Sequence, residues 1–213
     1  MEISEWALAF ACKGFFWHRD TEENVAAERQ LCQRVSLMSK NLYICLKGFL
    51  FLVIFSVFHF AYEIFPSSVL VPICAINESI WQHLKIAFFS YFVLNLVEFV
   101  FKRRSIQNKS SFIFSRLFTT TLIPWFVFIL WYTMAAFYGR LEILLLEVIF
   151  ASIVTLLSGT VCATIELNIE DKHFTRNFKA FILIIFVISA SLYVIFTYRL
   201  PWIDMFVVPE MIK

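Results

Sequence analysis

His59 and Glu63 stand four residues apart, and Glu78, His83 and Lys85 follow close behind them along the chain. Imidazoles and carboxylates are the donors that hold zinc and similar divalent ions, and an ion so held can activate water. Lys85 or Arg140 would then stabilise an anion beside it. His59 and Glu63 share a helix face, because residues four apart lie one above the other. Glu78, Trp81, Gln82 and Lys85 form a second stripe at helical spacing. Asn77 reads as the N-cap of that helix, with Glu78 in the first turn at the positive end of the dipole. Glu78 and His83 are five apart, which sets them about 140° from each other on a regular helix and argues against one shared ion. Ser79 lies one turn from His83, but no third group or oxyanion donor completes a nucleophilic site.

The elements that must position these residues are membrane spans. The 213-residue chain is 61% hydrophobic and 19% aromatic, with 27 Phe, far above globular usage. A net charge of +2 spread among apolar blocks gives no nucleic-acid footprint. A helical span needs about 20 mainly apolar residues, and five stretches qualify. They are 42–64, 80–101, 117–138, 141–167 and 178–200. The fold class is therefore all-α, a polytopic bundle of five transmembrane helices. Pro124 in the third span, after three threonines, is expected to bend that helix, with the hydroxyls taking the freed carbonyls.

Loop charge gives the direction. The second connection carries Lys102, Arg103, Arg104, Lys109 and Arg116, and the fourth carries Lys172, Arg176 and Lys179. The first has no Lys or Arg, the third has only Arg140, and Arg29, Arg34 and Lys40 precede the first span. By the positive-inside rule the chain runs N-inside, C-outside, in the cell membrane. Residues 1–41 read as a cytoplasmic extension with an interfacial amphipathic helix opened by a capping box at Asp20–Glu23, and residues 42–213 as the transmembrane domain.

On that topology the costly polar groups gather near the outer surface: His59, Glu63, Asn77, Glu78, Trp81, His83, Lys85, Arg140, Glu142 and Glu147. Charged groups inside spans cost about 2.5–3.5 kcal/mol each on insertion scales, so they face a bundle interior or a wet cavity. The inner half holds mainly Asn95 and Glu98, and Glu98 can pair with Lys102 and snorkel. Ala151, Thr155, Ser158, Gly159, Cys162 and Ala163 give the fourth span a small-residue face suited to helix contact or to a second copy. The five cysteines, Cys12, Cys32, Cys45, Cys74 and Cys162, have no metal or disulfide spacing and read as single thiols.

His59-Phe60-Ala61-Tyr62-Glu63, followed after a Pro-containing loop by Asn77-Glu78-Ser79-Ile80-Trp81-Gln82-His83-Leu84-Lys85, resembles a family of small prokaryotic integral membrane proteins of unknown function. Its members carry H-F-x-Y-[E/D] and then N-E-S-[V/I]-W-[E/Q]-H-L-K. The resemblance covers about 42–209. The tail departs from the family's P-P-H-I-P-L-F form, with Trp202 where a His is common. The resemblance implies the membrane architecture and brings no activity.

Three readings of the polar cluster follow. In the first, the groups satisfy one another and pin the helices, in a non-catalytic protein that is structural or binds a small ligand or lipid. In the second, a small transporter or transporter subunit uses the cluster as its site. In the third, a membrane-embedded hydrolase holds a divalent, zinc-like ion through His59, Glu63, Glu78 and His83. No cofactor is expected on the first two readings, a divalent, zinc-like ion belongs to the third alone, and the lipid bilayer is the partner composition dictates. The topology predicts that a reporter fused after Lys213 is active only in its non-cytoplasmic form; cytoplasmic activity overturns the orientation.

Overall fold

A computed structural model describes residues 22–139, 143–202 and 204–206. These residues form five long helices: α1 (Glu22–Ile64), α2 (Ile80–Lys102), α3 (Lys109–Tyr138), α4 (Leu144–Ile169) and α5 (Arg176–Tyr198), followed by a short 3-10 turn, Asp204–Phe206. All five are long and apolar enough to cross a membrane, and no strand occurs among the described residues. This is a multi-pass membrane protein of the all-α class. The expected capping box lies mostly outside the described residues. The chain divides into a unit ending at Leu46 and one beginning at Lys47. The buried charge network and the candidate site both lie in the second. Cys45, Cys74 and Cys162 are free thiols, whereas Cys32 is disulfide-bonded, a pairing that spacing along the chain does not reveal.

Helix boundaries follow local chemistry more than hydropathy. The helix α3 begins eight residues ahead of its apolar run, because the Asn108 side chain accepts from Ser111 N–H at 3.1 Å in the manner of an N-cap. It stops before Gly139, whose φ of +71° suits only glycine well. In α5 the Thr175 hydroxyl accepts from Phe178 N–H at 3.3 Å and starts the helix at Arg176. The threonines before Pro124 do not serve the carbonyl it frees. Thr120 and Thr121 donate instead to Arg116 O and Phe118 O, at 2.7 Å each.

Because α3 starts early, Arg116 is a helix residue and not a loop charge, and it points inward. There the structure departs most from what the sequence suggests. Glu98 does not snorkel: its carboxylate is turned into the bundle and is 8% exposed. It accepts from Lys102 at 2.9 Å, from Arg116 at 3.1 Å and from Lys47 at 2.5 Å. Lys47 also pairs with Glu166, which is fully buried. Glu166 accepts from the Tyr91 hydroxyl at 3.0 Å and from the Thr119 hydroxyl at 2.5 Å. Arg116 further holds Glu170 at 2.6 Å and lies over the Phe112 ring at 3.6 Å. Three cations thus face three carboxylates across α1, α2, α3 and the end of α4. Buried charges are tolerated when paired and hydrogen-bonded, and these are.

This network gathers the end of α2, the beginning of α3 and the end of α4 at one end of the bundle. The basic connections lie at the same end, joined where the Ser111 hydroxyl donates to Lys172 O at 2.8 Å. Beyond the network comes an apolar layer: Phe51, Ala87, Tyr91, Leu94, Ile123, Val127, Val154 and Cys162. Within the chain, Thr155, Ser158, Gly159, Cys162 and Ala163 of the small-residue face of α4 are buried. A Cβ placed on Gly159 would lie 3.0 Å from Gly48 Cα and 2.9 Å from Phe51 Cδ1. One placed on Gly48 would lie 2.7 Å from Thr160 Cγ2. A side chain at either position would press α1 and α4 apart next to the Lys47–Glu166 pair.

Two outcomes are expected in detergent unfolding. Glu166→Gln strands Lys47 without one of its charges and lowers stability by about 3–5 kcal/mol. Lys47→Met combined with Glu166→Leu costs clearly less than the sum of its parts; additivity would show that the pair is not coupled.

Candidate functional site

The opposite end of the bundle holds His59, Glu78 and His83. Between α1 and α2 the chain is not helical. It is tied back to α1 by Phe65 N–H to Ala61 O at 3.0 Å and by Ala75 N–H to Phe58 O at 3.2 Å. Asn77 is not the N-cap. Its side-chain oxygen accepts from Ser79 N–H at 3.1 Å, an Asx turn, and Ser79 takes the N-cap position with φ −73° and ψ 151°. The helix α2 therefore starts at Ile80, two residues later than expected, and Glu78 lies outside it.

That shift removes the geometric objection to a shared site. Freed from the helix, Glu78 folds back between two imidazoles. One carboxylate oxygen lies 3.5 Å from His59 Nε2 and the other 3.4 Å from His83 Nε2. The two rings are 5.2 Å apart between centroids. One donor atom from each of the three residues falls within 4.8 Å of the others. His83 Nδ1 sits 2.9 Å from Ser79 O, its own helix's carbonyl four residues back. An N–H there donates to the carbonyl, so the ring when neutral presents the Nε2 lone pair toward Glu78 and when protonated donates from Nε2 to the carboxylate. His59 is placed by Phe55, which stacks on it at 6.5 Å with planes 8° apart.

The donor set fits a divalent transition metal. Zinc–nitrogen and zinc–oxygen bonds of about 2.0–2.1 Å put tetrahedral ligand atoms roughly 3.3 Å apart. The two Glu–His separations, 3.4 and 3.5 Å, run to different carboxylate oxygens and are longer than a good hydrogen bond; with one oxygen as the shared donor the three ligand atoms lie within 4.8 Å of one another, so reaching that edge length takes a closing of the side chains. The His83 Nδ1 contact to a backbone carbonyl is the outer support that metal-ligating histidines use to fix ring and tautomer.

The other residues singled out in the sequence fall in different places. Glu63 is exposed and stands outside the three-donor group. Trp81 packs on Tyr193 at 4.9 Å and on Phe206 at 4.8 Å, fastening α5 and the tail to the start of α2. Lys85 is fully buried and donates to Val71 O at 2.8 Å and Thr197 Oγ1 at 3.3 Å. Glu147 is exposed in the first turn of α4 and makes no ion pair among the described residues. Arg140 and Glu142 lie outside the described residues. Spans one and two thus meet at this end, and among the described contacts α4 does not join them.

Sequence reasoning missed Lys47, Arg116 and Glu166. Each sits close to a span end, where a charge counts toward topology and not toward the interior. A usable signal was present: Lys47, Phe51, Phe55 and His59 repeat at intervals of four, one stripe of α1 that runs from the buried network to the site.

The model of a family of unknown function, DUF6512, matches residues 31–210. No curated protein and no solved structure matches the chain.

Glu78 titrates below the ordinary carboxylate value of 4.5, first because His83 hydrogen-bonds its charged form. A carboxyl whose folded pKa is depressed adds stability that is present above its unfolded pKa and is lost as pH falls through the folded value. The melting temperature in detergent should therefore decline on acidification below about 4.5. Glu78→Gln should flatten that limb of the profile, and an identical profile in the variant would contradict the assignment.

Proposed function

Since the chain belongs to that family, whose description carries no activity, we propose its function from the geometry: it is a multi-pass membrane protein that binds a divalent transition metal of the zinc class. The observation that carries this reading is the convergence of His59, Glu78 and His83 within 4.8 Å. Two helices and the connection between them each supply one ligand, as a site built by the fold requires. Three protein ligands leave a coordination position for water or a further ligand. Glu78 has 56% of its side chain exposed and His83 34%, so that position is reachable from outside the bundle.

The basic connections at the other end favour an orientation with that end in the cytoplasm and the metal site facing outward, in the cell membrane. The apolar layer around Phe51, Tyr91 and Val127 separates the two polar ends. That separation supports binding at one face over conduction through the bundle.

Protein purified without added metal should contain, or take up, zinc at about one ion per chain on this reading. His59→Ala, Glu78→Gln and His83→Ala should each weaken binding on the order of 100-fold. Glu63→Gln and His173→Ala should leave it unchanged. Metal content near zero, together with no metal-dependent shift in melting temperature, would refute the reading.

A further inference from the structure

Lys85 is the residue at this end that the metal site does not use. It is fully buried, and none of the ion pairs among the described residues includes it. Burying an ammonium inside a span is expensive, and a Met or Leu would fill the same space at no such cost. What the charge does is visible in its two acceptors. Val71 O, at 2.8 Å, belongs to the non-helical connection, and Thr197 Oγ1, at 3.3 Å, belongs to α5. The Thr197 hydroxyl gives its own hydrogen to Tyr193 O at 2.8 Å, so its oxygen is oriented to accept from Lys85. One side chain thus fastens a loop carbonyl and a second helix to the second turn of α2.

The loop it fastens is the one that presents Glu78. His59 and His83 are held by regular helices, whose backbones place a side chain without outside help. Glu78 has no such frame. Its placement depends on the Asx turn of Asn77, the Ala75-to-Phe58 bond beside His59, and the Lys85 clamp on Val71. The first two act close to Glu78 or along α1. Lys85 is the only one of the three that ties the loop to the body of α2, the helix carrying His83. We propose that Lys85 is a positioning residue for the metal site: through Val71 it sets where the Glu78 carboxylate lies between the two histidines. The inference rests on the metal-binding reading for its consequence, but the placement of Glu78 is measurable without any metal.

The test uses the full-length protein in detergent, in two arms. In the metal-free arm, imidazole 15N resonances are read at neutral pH, where only four histidines contribute. Lys85→Met should move the His59 and His83 signals toward those of Glu78→Gln and leave His173 in place. In the second arm, Co(II) is the probe. Lys85→Met should bind it about tenfold more weakly, with a changed visible spectrum, while both helix histidines remain. Thr197→Val, which removes one acceptor and leaves the loop contact, should show a smaller effect of the same kind, and Thr197→Ser should behave as wild type. If Lys85→Met does not fold, the Thr197 pair decides. Wild-type resonances and wild-type Co(II) affinity in Lys85→Met, or in Thr197→Val where that variant must serve, overturn the proposal. If the wild-type protein takes no Co(II), the metal reading falls and the metal-free arm alone decides whether Lys85 places Glu78.

Discussion

Glu166 is a carboxylate that no solvent reaches, and the bundle is arranged around its neutralisation. In a low-dielectric interior an unpaired charge costs more than any single packing contact returns. Lys47 from α1 and the hydroxyls of Tyr91 and Thr119, from α2 and α3, must therefore all arrive at the same point. That requirement fixes the relative height of four helices. The glycines serve the same contact, since α1 and α4 nearly touch at Gly48 and Gly159 beside Lys47 and Glu166. The second carboxylate, Glu98, is bound by the same lysine, by Lys102 and by Arg116, which links the pair into one balanced network.

Hydrophobic burial cannot supply this register by itself. In lipid, apolar side chains gain little by facing one another instead of acyl chains, so packing, small residues and polar bonds carry the specificity. The exposed faces fit that picture. Much of α5, including Phe181, Leu183, Ile184, Val187 and Ile188, points out of the bundle toward lipid. What distinguishes inside from outside here is polarity, and the polar groups are paired at one end and directed at each other across a shared carboxylate at the other.

The two ends consequently have different characters. The network end is closed, with its charges shielded and its bonds short. At the other end Glu78 is more than half exposed, and its distances to the histidines exceed those of good hydrogen bonds. The aromatic residues between the ends, Phe51, Phe55 and Tyr91, pack edge to face.

The number of spans, the helical class and the gathering of His59, Glu78 and His83 near one end were all legible in the sequence, because they follow from apolar run length and local residue type. Those properties are one-dimensional and survive without knowledge of neighbours. The start of α2 was misplaced because Asn77 can serve equally as an N-cap or an Asx turn, and the choice falls to the loop that leads into it. The direction of Lys47, Arg116, Glu98 and Glu166 was not legible either. A charge near a span end snorkels or turns inward depending on whether an opposite charge waits on another helix, and that depends on register. Sequence alone determined that this protein lies in a membrane and which of its polar groups are costly. Only the tertiary structure decided which of them meet, because pairing in a medium without water is settled by distances between helices.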